Sequence, residues 1–497
     1  MHTILRSRVT SALAAAGIST LLLFGGVAVA QDATPEGDMP AFQAPAGCEV
    51  YAEGLYNPRY IAFDSADNLY ISEAGDGGDE PQYGPTGEGT PESSEPLSMF
   101  GNTGQVSVVS TDGSTSVLVD GLPSYTFGTE VVGPAGIVAT DDTVYVAIGG
   151  PGPGTALIEP AQYRDAVIAI DVASGEITQL ADIGEYERTT NPDPNAVDSN
   201  LYGLAMGNDG TLYVADAGGN TIYTVDPASG ELAVLATLPG VPMEGFENPA
   251  RGGAQEIDPV PTGLTPAPGG GVYVGLLTGG PFPPGAASIL KVDAEGNVST
   301  TAEGLTMVTG VETGPGGQIY AVQLSENFME TPPAAGSIVR IGAFNQPYPV
   351  LSGLPIPNDV AFDSEGNMYV VVMTTAPAGT PPGGMVLKCD LAAIQAGGEA
   401  TPDAEATPVA LTVDMADITY SPKALAAAAG SDVVLTIVNT GFLPHDFNID
   451  ALGIHTGYIN AGESVSVTIN AGAGSYTFYC GAPGHQAAGM VGTLSLE

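Results

Sequence analysis

The sequence predicts an all-β protein, a six-bladed β-propeller followed by a smaller β-sandwich. Three observations carry this expectation. Short apolar runs alternate with turns throughout a chain of 497 residues that holds 69 Gly and 41 Pro. One strand–turn–strand unit recurs six times. Near residue 409 that unit stops, and strands continue on a different plan.

The first segment reads as a targeting signal. Arg6 and Arg8 form a basic start, an apolar run follows from Ala12 to Val27, and Ala28-Val29-Ala30 offers a cleavage site before Gln31. Residues 1–30 are therefore expected to be a signal peptide, and the protein to be exported to an extracellular, periplasmic or cell-surface location. No cysteine follows the site, which argues against a lipid anchor. An uncleaved signal anchor is the alternative, because the apolar run is nearly long enough to span a bilayer. Residues 31–47 read as a disordered segment.

The repeats come next. They are "NPRYIAFDSADNLYISEAG", "GPAGIVATDDTVYVAIGG", "NLYGLAMGNDGTLYVADAG", "PTGLTPAPGGGVYVGLLTG", "VTGVETGPGGQIYAVQL" and "PNDVAFDSEGNMYVVVM". Their tyrosines align as Tyr70, Tyr145, Tyr213, Tyr273, Tyr320 and Tyr369, the last two intervals being 47 and 49 residues. Insertions at Asp76–Thr103 and Gly184–Ser199 lengthen the earlier intervals. A third strand such as "NTIYTVD" and a fourth such as "LAVLATL" complete each unit. Four short strands repeated six times describe a propeller over residues 48–391. No single blade buries both of its faces, so stability must come from closing the ring.

Closure is legible too. The sixth repeat has a third strand, "GGMVLKCD", and lacks a fourth. An orphan strand, "GCEVYAEGL", precedes the first repeat and resembles the fourth strands elsewhere. It is expected to complete the sixth blade, which sets Cys48 beside Cys389. An exported protein meets an oxidising compartment, so a disulfide joining the two ends is expected.

Residues 392–408, within "LAAIQAGGEATPDAEATPVA", read as a flexible linker, because large apolar residues give way to Ala, Pro, Thr and Glu. Residues 409–497 suffice for a small β-sandwich. The whole chain has 56 acidic and 10 basic residues, a formal charge of −46. With no basic patch to neutralise phosphates, nucleic acid is excluded as a partner. A basic protein partner fits the charge, and so does plain solubility through self-repulsion.

The last strands carry the chemistry. "YCGAPGHQAAGM" spaces Cys480, His485 and Met490 evenly in a chain with three cysteines and four histidines. "NTGFLPHDFNI" places His445 after an apolar strand. A thiolate, two imidazoles and a thioether are a soft ligand set that selects copper, and His2Cys with a distant Met is the blue-copper electron-transfer arrangement. Cys480 is expected to end a strand, "GAPG" to return His485 towards the same ion, and "QAAG" to bring Met490 beneath. A structural zinc site normally lacks a thioether. His455, in "GIHTGY", has no motif around it and reads as structural or exposed.

"VNTGFLPHDFNI" together with "YTFYCGAPGHQAAGMVGTLSL" resembles a cupredoxin of the plastocyanin/auracyanin type. The resemblance implies a Greek-key β-sandwich. It implies one type 1 copper ion held by His445 and His485 through nitrogen, by Cys480 as thiolate and by Met490 as weak axial ligand. A redox partner protein would follow, and Cu(I)/Cu(II) cycling as the function. A binuclear centre bridged by two thiolates is excluded, since Cys480 is the single cysteine of this domain.

The propeller resembles the ScyD/ScyE family of secreted proteins and, more loosely, NHL and gluconolactonase-type propellers, through segments such as "DSNLYGLAMGNDGTLYVADAGGNTIYTVD". The repeats are weakly specific, and three roles compete. A binding or docking module needs no further chemistry and names no catalytic residue. A quinoprotein-like dehydrogenase would pass electrons to the copper domain, yet the propeller contains no histidine to act as base and few cations to hold an anionic quinone. A metal-dependent, lactonase-like hydrolase would bind a divalent ion with groups such as Asn57, Asn200, Asn358 and Asp359 at the starts of first strands. Polar channel lining is the plainer reading of those four.

Overall fold

The computed structural model describes residues 42–82, 96, 98–127, 130–150, 161–194, 197–342, 345–376, 379–397, 409–427, 433–469, 471, 474–486 and 488–496. The expected signal peptide, most of the 31–47 segment and most of the linker lie outside these residues. Contacts divide the chain into two units between Gly398 and Glu399. No helix among the described residues is long and apolar enough to cross a membrane.

The first unit is built on six antiparallel sheets, with a further two-stranded pair formed by Val241–Pro242 and Glu256–Ile257. Blade one comprises Pro58–Phe63, Leu69–Glu73, Ser98–Val109 and Thr115–Phe127, with short added strands at Glu80–Gln82 and Glu130–Val132. Blade two is Pro134–Ala139, Thr143–Ile148, Ala166–Asp171 and Ile177–Asp182, and blade three is Leu201–Met206, Leu212–Asp216, Thr221–Val225 and Leu232–Thr237. Blade four is Pro261–Pro266, Val272–Leu276, Ala287–Val292 and Val298–Leu305. Blade five is Val308–Thr313, Ile319–Gln323, Gly336–Ile341 and Pro347–Leu354. Blade six is Val360–Phe362, Met368–Val372 and Gly384–Cys389, completed by the N-terminal strand Cys48–Leu55. The first strand of each blade touches that of the next, and blade six touches blade one, so the ring closes.

Local chemistry explains the repeat. In "FDSADNLY" the Asp64 carboxylate accepts the N–H groups of Ala66 and Asn68 and the Asn68 amide, which folds the hairpin turn without strand pairing. Asp363 does the same for Glu365 and Asn367 in "FDSEGNMY". The aligned tyrosines recur because each packs between its own blade and the following one. Tyr70 joins the core shared with blade two, Tyr213 that with blade four, Tyr320 that with blade six, and Tyr369 that with blade one. Close approach of neighbouring first strands explains "YGL" and "TGV". A Cβ on Gly203 would collide with the Thr262 carbonyl oxygen, and one on Gly310 would lie 2.8 Å from the Asn358 carbonyl oxygen.

At the seam, Cys48–Leu55 runs antiparallel to Gly384–Cys389 with Cys48 opposite Cys389, and a disulfide joins the two. Two departures from the sequence reading stand beside it. Residues 42–47 are not all free chain, since Phe42 and Ala44 pack on the blade-six core. Leu391–Gly397, expected at the start of the linker, is a short helix that buries Ile394 against the same core. In both places isolated apolar residues find an adjacent apolar surface, which a compositional reading of the segment does not register. A further helix, Ile183–Thr190, opens the Gly184–Ser199 insertion. Asp182 caps it by accepting the Glu185 N–H, and an αL residue, Asn191, ends it.

The second unit is a two-layer sandwich. One sheet has the order Thr419–Ser421, Val409–Ala416, Val433–Asn439, Ser464–Ile469. The other runs Ala424–Ala427, Val491–Leu496, Gly474–Tyr479, Asn448–Ile449, Ile454–His455. Val433–Asn439 alternates strictly, burying Val433, Leu435, Ile437 and Asn439. Val433, Leu435 and Ile437 share a core with Phe478 and Leu494 of the facing sheet and with Phe447 beside it, and Tyr420 is edge-on to both phenylalanines. Val409–Ala416 pairs parallel with Val433–Asn439, as Ala424–Ala427 does with Val491–Leu496. Such crossed connections give the Greek-key sandwich.

Candidate metal centre

Two loops at one end of the sandwich build the centre. The first leaves Val433–Asn439. The buried Asn439 amide donates to the Leu443 and Ile459 carbonyls, at 2.8 Å each. His445 exchanges backbone hydrogen bonds with Ile459. These bonds fix the His445 backbone, and its side chain is buried.

The second loop follows Gly474–Tyr479 and ties its own candidate ligands together. The Cys480 N–H donates to the Met490 carbonyl, the Met490 N–H to the His485 carbonyl, and the His485 N–H to the Ala482 carbonyl. Lys423 closes the loop from outside, its Nζ donating to the Gly489 carbonyl at 2.8 Å. Backbone hydrogen bonds thus link the three evenly spaced positions to one another. Cys480 and Met490 are buried, while His485 is half-buried.

The side chains converge. His445 Nδ1 and His485 Nδ1 are 3.2 Å apart, Cys480 Sγ is 3.5 Å from His485 Nδ1, and it is 3.9 Å from His445 Nδ1. Among the described residues these three form the one group of His, Cys, Asp and Glu side chains close enough to share an ion. The point equidistant from the three atoms lies about 2.1 Å from each, close to first-row metal–nitrogen distances of about 2.0–2.1 Å and metal–sulfur distances of about 2.3 Å. The donor set and the triangle both fit a copper ion. Burial first, and then neighbouring His485, push the His445 imidazole below its usual pKa, which keeps its ring nitrogen available as a donor. Burial pushes the Cys480 thiol up, and backbone N–H groups of Asp446 and Ala482 act in the opposite sense by favouring the thiolate. Met490 stands at the end of the loop with its side chain inside the core.

His455 is not part of this group. It is exposed, with Nδ1 2.9 Å from Asn448 Oδ1. Three of the four propeller residues weighed as metal ligands use their side chains in hydrogen bonds within the ring. Asn57 donates to the Gly75 carbonyl and accepts from the Ala376 N–H. Asn358 donates to the Arg59 carbonyl and accepts from the Tyr202 hydroxyl, and Asp359 accepts from the Ile61 N–H. These bonds lace blade six to blades one and three across the ring. Asn200 donates its backbone N–H to Asp216. Asp216, Glu73 and Gln323 hold equivalent places at the ends of second strands, and each side chain accepts a backbone N–H just ahead of its own blade's first strand.

Sequence reasoning passed over Asp446, Asn439 and Tyr420 around the centre. The signals for the first were an Asp directly after His445 and a Gly directly after Cys480.

Comparison with known proteins agrees with this geometry. Residues 390–492 match the family model of the cupredoxin-like domain. Auracyanin B is 27% identical, covering 19% of this chain and 93% of its own, with a TM-score of 0.17. Auracyanin from the photosynthetic bacterium Roseiflexus castenholzii is 19% identical, covering 18% of this chain and 97% of its own, with a TM-score of 0.17. Virginiamycin B lyase from Staphylococcus aureus is 12% identical, covering 69% of this chain and 98% of its own, with a TM-score of 0.37. None of the three reaches a TM-score of 0.5, so the fold assignment rests on the sheet order and the family match. No curated protein matches the chain significantly. The C-terminal unit is therefore a cupredoxin-like domain, carried behind a six-bladed β-propeller.

Proposed function

We propose that this is an exported electron-transfer protein whose C-terminal domain holds one type 1 copper ion, with the propeller as a binding or docking module. The observation that carries the reading is the convergence of His445 Nδ1, His485 Nδ1 and Cys480 Sγ at 3.2–3.9 Å within a cupredoxin-like domain. Copper, when bound, supplies a one-electron Cu(I)/Cu(II) couple. The chain's own residues do the rest. Hydrogen bonds within both loops hold the ligands in place, so little rearrangement accompanies a change of oxidation state. The buried sulfur and His445 exclude water, and the half-buried His485 leaves one edge of the ligand set near solvent. Met490 would serve as the weak axial donor.

A redox partner protein would meet the apolar side chains on the first loop and beside it. Phe442 is 88% exposed, and Leu443 and Tyr458 are exposed as well. This exposure is built in, because Asp417 accepts the Phe442 N–H at 2.9 Å and Asn439 holds Leu443. The acid excess makes a basic rim on the partner favourable.

The test is to add Cu(II) to the apo protein. An intense visible charge-transfer band from sulfur to copper is expected, and Cys480→Ser should abolish it. Copper that binds stoichiometrically to the wild type without colour would refute the reading.

A further inference from the structure

Resting on the copper assignment above, we propose that Asp446 sets the reduction potential of the centre, its fixed carboxylate favouring the oxidised ion. Asp446 follows the ligand His445, and its Oδ1 accepts the N–H of Gly481, the residue after the ligand Cys480, at 2.5 Å. The contact clips together the two loops that supply the ligands. The approach is close on the far side too: a Cβ on Gly481 would lie 3.0 Å from Asp446 Oδ2 and 3.3 Å from Asn448 Nδ2. The Asp446 backbone is anchored as well, since the buried Tyr420 hydroxyl donates to its carbonyl at 2.6 Å. The carboxylate is therefore held in one place beside the sulfur.

Its charge is not cancelled locally. Among the described residues no ion pair within 4.0 Å involves Asp446. Lys423, the single Lys or Arg from residue 409 onward, donates to Gly489 at the other end of the ligand loop. Cu(II) with one thiolate and two neutral imidazoles carries one more positive charge than Cu(I) with the same ligands. An uncompensated anion in a partly desolvated site stabilises the more positive form and lowers the potential.

Asp446→Asn keeps the size and an oxygen to accept the Gly481 N–H, and removes the charge. The experiment uses the full-length, copper-loaded protein and follows the visible band during a mediated redox titration. The expected result is an unchanged band position with the Cu(I)/Cu(II) equilibrium moved at least tenfold towards Cu(I), a rise of about 59 mV for one electron. Asp446→Glu, which keeps the charge, should move it less. Asp450→Asn, which removes a charge from an exposed side chain of the same domain, should also move it less. Should the amide disturb the loop, Asp446→Ser removes the charge with a smaller oxygen acceptor, and the same upward direction is expected. A normal band with an unmoved potential in Asp446→Asn would overturn the role of Asp446 and leave the copper assignment standing. A colourless, copper-bound wild type would overturn both.

Discussion

Cutting the Cys48–Cys389 bridge tests how the propeller is held shut. The bridge spans 341 residues and ties the first described strand of the ring to the last. In the replacement Cys48→Ala with Cys389→Ala, the six paired positions between the two strands remain, and with them most of the blade-six core. What is lost is the restriction on the unfolded chain. The chain-entropy relation gives about 6 kcal/mol for a loop of this length, while losing a native bridge is generally observed to cost about 2–5 kcal/mol. Taking about 4 kcal/mol and a urea m-value of about 3 kcal/mol/M, the unfolding midpoint should fall by roughly 1 M. Near-UV circular dichroism of the apo protein, with its many interblade tyrosines and no tryptophan, reports the loss of ring packing. A midpoint that moves by less than about 0.3 M at an unchanged m-value would refute the reasoning. It would mean that pairing of the N-terminal strand alone, or structure persisting in the unfolded chain, decides closure.

Further outcomes follow from the ring. Gly203→Ala forces a Cβ onto the Thr262 carbonyl of the next blade and should destabilise the propeller by about 1–3 kcal/mol, measured by the same unfolding titration, with the visible band of the copper-loaded protein unaffected. Burial pushes Asp359 up to about 7, and burial followed by the nearby Asp359 pushes Glu312 up to about 8. Both folded-state values lie above the unfolded ones, so their stabilising contribution is complete below about pH 4 and is lost as pH rises through 7 to 8. The propeller's thermal midpoint should therefore fall between about pH 4 and pH 8 and level off above that. Asp359→Asn, which still offers an oxygen to the Ile61 N–H, should flatten that fall, and an equally steep profile in the variant would count against this source.

The sequence by itself determined the periodic part of this protein. Asp-x-x-x-Asn turns, the tyrosine that each blade lends to the next, and the glycine at each close approach are local or nearest-neighbour requirements, and each leaves a residue at a fixed place in the repeat. The orphan strand "GCEVYAEGL" was legible for the same reason, since an incomplete sixth unit and a spare fourth strand can satisfy each other's backbone bonds in only one way. The approach of Cys480 and His485 was legible because the two are close in sequence as well as in space, so their spacing is written directly. The tertiary structure decided what depends on contacts between distant segments. It set Phe42 and the helix from Leu391 to Gly397 on the blade-six core, it turned Asn358 and Asp359 inward as lacing between blades, and it brought Asp446 from one loop to the Gly481 amide of another. No period or motif announces such a contact, because burial and the placing of a charge are properties of two chain segments meeting and belong to neither segment alone.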